Sequence, residues 1–96
     1  MSKQQEQGSQ QIQVMTGDDM SRGRYSNNVF VSHTAEEFYL DWMLNAPNGI
    51  HMVARIMVSP AHIKRVLSAL QGNIEKYESK FGEIRVIATP KEQMFQ

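Results

Sequence analysis

Five residues, Arg55, Ser59, His62, Lys64 and Arg65, form the densest group of chemically useful side chains in the sequence. Four of them lie in the run "SPAHIKR", where Ser59 reads as a helix N-cap and Pro60 as the first helical residue. A helix start carries unpaired N–H groups and partial positive charge. With a hydroxyl, an imidazole and three cations nearby, it is a candidate anion site for a phosphate, a carboxylate or a nucleic-acid backbone. The plainer reading is a capped helix with basic neighbours. The formal net charge is zero, so no overall field recruits nucleic acid. Nucleic acid therefore stands as an alternative partner and is not the favoured one.

Other chemistry is sparser. His33 precedes Thr34, Glu36 and Glu37, but nothing supplies a third metal ligand, so a turn histidine is the better reading. His51 reads as a rim residue. Asp41 and Arg55 fall on neighbouring strands and fit a structural ion pair better than a catalytic one. The sequence has no cysteine, no nucleophile beside a base and no phosphate-cradling glycine loop. The expectation is a protein that is not an enzyme and needs no metal or cofactor.

The elements that position these residues follow from apolar spacing. "QIQVM" (11–15) alternates and suits a short edge strand; 16–24 reads as a loop. "YSNNVFVSH" (25–33), "FYLDWML" (38–44) and "IHMVARIMV" (50–58) each alternate, and Asn48-Gly49 marks a turn between the last two. Phe38, Leu40, Trp42 and Leu44 share a face; so would Ile50, Met52, Ala54, Ile56 and Val58. The stretch 59–82 reads as one helix of about 22 residues, closed by Gly82. "EIRVIA" (83–88) is a possible short final strand. The fold class is α+β: an antiparallel β-meander of three to four strands followed by one long C-terminal helix. The simplest packing lays that helix across the sheet.

Such a layout leaves apolar surface over. One helix covers one sheet face, and Tyr39, Met43, Val53 and Met57 sit on the other. The helix itself carries Ile63, Leu67, Leu70, Ile74, Tyr77 and Phe81 at steps of four and three, with Val66 alongside. Its charges run against its own dipole: Lys64 and Arg65 lie near the start, Glu75 and Glu78 near the end. Two such helices packed antiparallel about Leu70 would set Arg65 beside Glu75 and His62 beside Glu78 of a second copy. The reversed charges would then mark a self-complementary register. The expected partner is a second copy, most simply in a homodimer, with a further protein partner unidentified.

Length and composition agree with this. Ninety-six residues make at most one domain. Residues 2–10, "SKQQEQGSQ", lack any apolar side chain, so 1–10 reads as a disordered polar tail, 11–88 as a single α+β domain and 89–96 as a C-terminal tail. A folded part of roughly 75 residues is marginal alone, and association is the usual remedy where no disulfide is available. No run approaches the length of a membrane span, and no apolar leader opens the sequence. The expected location is cytoplasmic.

"YSN" (25–27), "SHTAEEFYLDW" (32–42) and "ARIMVSPAHIKRVLSALQGNIEKYESKFGEI" (54–84) resemble a small bacterial and archaeal family catalogued as domain of unknown function 3467. Its most specific part is the run carried here by Arg55, Ile56, Ser59, Pro60, His62, Lys64 and Arg65. The chain has Trp42 where the resemblance implies Phe, and Ile63 where it implies Ala, so both positions gain apolar bulk. The resemblance spans about residues 11–85 and implies no activity. Strands followed by a long helix also resemble, in topology alone, the export chaperone SecB. The resulting expectation is a small non-enzymatic, self-associating protein of the adaptor or chaperone-like kind. The alternative is an anion or nucleic-acid binder.

Overall fold

The computed structural model describes residues 11–87. The tails expected at 1–10 and 89–96 lie outside them. Five elements follow one another: helix α1 (Asp18–Arg22), strands β1 (Asn28–His33), β2 (Phe38–Ala46) and β3 (Gly49–Val58), and helix α2 (Pro60–Phe81). The strands form one antiparallel sheet in the order β1-β2-β3. A three-stranded meander leading into a long helix is the α+β layout the spacing predicts.

Three local expectations change. The alternating segment 11–15 is not a strand, and Ile12, Val14 and Met15 are each more than 80% exposed. Alternation stabilises a strand only where it pairs with a partner strand, and 11–15 pairs with none among the described residues. The stretch read as a loop contains α1, with Asp18 and Asp19 in its first turn and Arg22 in its last, in line with the helix dipole. Gly23, at φ 74°, ends it. Finally, 83–87 forms no strand. The backbone N–H of Ile84 donates instead to Glu78 Oε2 at 2.9 Å, so the chain turns back against the end of α2.

The β2–β3 hairpin turns through Pro47 and Asn48, with Gly49 at φ 134°, a conformation that suits a residue without Cβ. Its register sets Phe38, Leu40 and Trp42 opposite Val58, Ile56 and Ala54. Beyond Trp42 the register shifts: Trp42 faces Ala54, while Met43 faces Met52, so Val53 is left over. This bulge reverses the alternation on β3. Met52 and Ile50 therefore join Tyr39, Asp41 and Met43, and His51 crosses to the side of Leu44. The expected single face from Ile50 to Val58 is thus broken in two.

The largest difference concerns packing. The element pairs in extensive contact are β1–β2 and β2–β3; α2 does not lie across the sheet. One residue, Ser59, separates β3 from α2. It is extended, at φ −71° and ψ 158°, and Pro60 follows, holding it out of the helical region. A helix stacked on a sheet needs its axis lifted about 10 Å and its direction reversed, and strand-to-helix loops that achieve this run to 2–6 residues. The consequence is plain in the burial. No apolar residue among those described is buried, and Asp41, 6% exposed, is the only buried residue among them.

Candidate functional site

Ser26 and Asn27 fasten the entry to β1. Ser26 Oγ lies 2.8 Å from the carbonyl oxygens of both Met43 and Asn28. Asn27 copies a strand residue with its side chain: Nδ2 donates to the Asn45 carbonyl at 3.1 Å, and Oδ1 accepts from the Asn45 N–H at 2.7 Å. The "YSN" run thus acts by extending the ladder beyond Asn28. Nothing in the sequence spacing marks this role; the short polar pair just before an alternating run is the only trace.

Asp41 and Arg55 are cross-strand partners, as expected. The Arg55 Nε donates to Asp41 Oδ1 at 2.6 Å and Nη2 donates to Oδ2 at 2.8 Å, a bidentate fork. The guanidinium also lies 5.5 Å from the centre of the Tyr39 ring, and Tyr39 Oη donates to Glu37 Oε1 at 3.3 Å. The hydrogen bond from Arg55 holds the Asp41 carboxyl below its ordinary value, against a smaller opposing push from desolvation. The same bond raises Arg55. This fork pins β2 to β3 beside the bulge.

Of the five candidate anion residues, four stay at the start of α2 and Arg55 lies on β3. Arg55 is committed to Asp41. Ser59 Oγ caps α2 by accepting from the His62 N–H at 3.2 Å. His62, Lys64 and Arg65 are exposed on the first turns of α2. His33 stacks on Phe38, with ring centres 5.3 Å apart, and His51 Nε2 lies 3.1 Å from Asn48 Oδ1. No group of metal-ligating side chains occurs among the described residues, and none of their helices is long and apolar enough to cross a membrane.

The apolar surfaces are the dominant feature. On one sheet face Val29, Val31, Phe38, Leu40, Trp42, Leu44, Ala54, Ile56 and Val58 stand together, with His33 and His51 at opposite ends. Val31 and Ile56 are more than half exposed. Near Trp42, Ala54 and Ile56 this face opens into a groove of about 790 Å³, edged by Met20, Arg24 and Tyr25. The opposite face carries Tyr39, Met43 and Met57 with the Asp41–Arg55 fork, and Met57 is 56% exposed. Val53, expected beside them, is the bulge residue and lines the groove. On α2, Leu67, Leu70, Ile74, Tyr77 and Phe81 are all about half exposed or more, while Ile63 and Val66, nearest the sheet, are partly covered. Tyr77 and Phe81 pack on each other with ring centres 5.0 Å apart. Arg65 and Glu75 have no ion-pair partner among the described residues, whereas Glu78 is held by Ile84.

No curated protein and no solved structure matches the sequence in these comparisons. The family described as "Protein of unknown function (DUF3467)" matches residues 1–86, extending across the polar N-terminal stretch as well as the sheet and α2. Sheet, fork and capped helix together therefore stand in a chain that belongs to the DUF3467 family.

Proposed function

We propose that this is a small non-enzymatic protein that self-associates and acts through protein contacts, as an adaptor or in a chaperone-like manner. One observation carries the reading: no apolar residue among those described is buried within the single chain. Burial of apolar surface is the main favourable term in folding, at roughly 25 cal/mol per Å². A sheet with two open faces and a helix with an open stripe obtain little of it until something covers them. A second copy is always available and presents matching apolar surfaces.

The test is light scattering with size exclusion over a range of concentrations, which should return a dimer or larger assembly. Arg65→Glu places two like charges where Arg65 and Glu75 would meet. With two such contacts by symmetry, at about 1 kcal/mol each, dissociation should increase by up to about thirtyfold. Adding Glu75→Arg should restore the assembly. A chain that stays folded and monomeric at all concentrations overturns the proposal. So does salt-sensitive nucleic-acid binding by a monomer that Lys64→Ala with Arg65→Ala abolishes, since that result belongs to an anion binder.

A further inference from the structure

We infer that α2 of each copy seats on the apolar sheet face of a second copy, the two chains exchanging helices. This rests on the self-association proposed above and specifies its geometry. The uncharged face through Leu40, Trp42 and Ile56 and the stripe through Leu67, Leu70 and Ile74 are the two surfaces a sheet-and-helix domain ordinarily packs together. In the single chain they are kept apart by the one-residue connector at Ser59. Short connections that prevent an element from folding back favour its exchange between identical chains.

Dimensions agree. The 22 residues of α2 extend about 33 Å at 1.5 Å per residue. The nine residues of β2 extend about 30 Å. Ala54, opposite Trp42, leaves the floor of the groove low, with room for large side chains from the stripe. Two symmetric seatings, each covering one stripe and one sheet face, bury about 2,000 Å², within the range of stable protein interfaces. The strand residues of this face include no Asp, Glu, Lys or Arg; its polar side chains are His33 and His51 at opposite ends, and Asp19, Arg24 and Arg55 line the groove beside it.

The absence of native cysteine makes cross-linking unambiguous. Val31→Cys or Ile56→Cys marks the sheet; Leu67→Cys, Leu70→Cys or Ile74→Cys marks about two turns of α2, so one fits whatever the register. These positions are about half exposed, so substitution leaves the single-chain fold undisturbed. A sheet variant mixed with a helix variant of different tag should give mainly the mixed covalent dimer on mild oxidation. A chain carrying both cysteines should also form covalent dimers. An internal disulfide in a monomer would overturn the inference, because α2 would then lie on its own sheet. Disulfides only between helix variants, or a dimer by scattering that gives no sheet-to-helix disulfide, would overturn it while leaving self-association standing. A monomer that cross-links nowhere would remove both.

Discussion

Asp41 is the one buried residue among those described, none of the apolar ones being buried, and Arg55 answers it with both donors of a fork. The pair has a pH signature. Asp41 in the folded chain titrates below its ordinary 3.8. A carboxyl with a depressed folded value contributes stability that is whole above the unfolded value and disappears as pH falls through the folded one. Asp41→Asn should therefore melt below the parent at pH 6, with the gap closing as pH drops below 3.8. Melting curves from pH 6 to pH 2.5 measure this, and a constant gap would assign the fork no electrostatic part. The fork was legible from the alternation of two strands. The Ser26 and Asn27 contacts were not, because a side chain that imitates backbone depends on where a strand of distant sequence, here Met43 to Asn45, arrives.

Helix α2 begins where start signals place it. Ser59 accepts from the His62 N–H, Pro60 occupies the first turn, and Gly82 at φ 98° closes the far end. Replacing an N-cap serine by alanine costs about 1 kcal/mol. Ser59→Ala should lower stability by about that amount, read from urea unfolding, with no change in nucleic-acid binding. A loss of anion binding without loss of stability would instead return Ser59 to the anion reading. The strands show the opposite case. Strict alternation places Ile50 and Met52 with Ile56 and Val58, and the bulge at Val53 moves them to the other face. One extra residue reverses a strand's sidedness, and neither Trp42-Met43 nor Met52-Val53-Ala54 contains a glycine that would announce it.

An assembly that supplies the missing core ties stability to concentration. A species that binds only the folded state raises apparent stability by mass action. The melting temperature should rise as protein concentration rises, by several degrees over about a hundredfold range. A melting temperature independent of concentration, with a cooperative transition in a dilute monomer, would show that the open faces need no second copy. Leu70→Glu, placed mid-stripe where Leu70 is 54% exposed, should weaken the assembly and lower the melting temperature with it.

The sequence alone determined the three strands, the long capped helix, the Asp41–Arg55 pairing and the family, because each rests on local spacing, turn chemistry or a contiguous run. It also determined that apolar surface exceeds what one small domain hides. That the long helix does not lie against its own sheet was decided only in three dimensions. Spacing identifies which side chains seek burial and says nothing of direction. The extended Ser59 and the fixed Pro60 send α2 away from its own sheet, so the helix face and the sheet face remain open in the single chain.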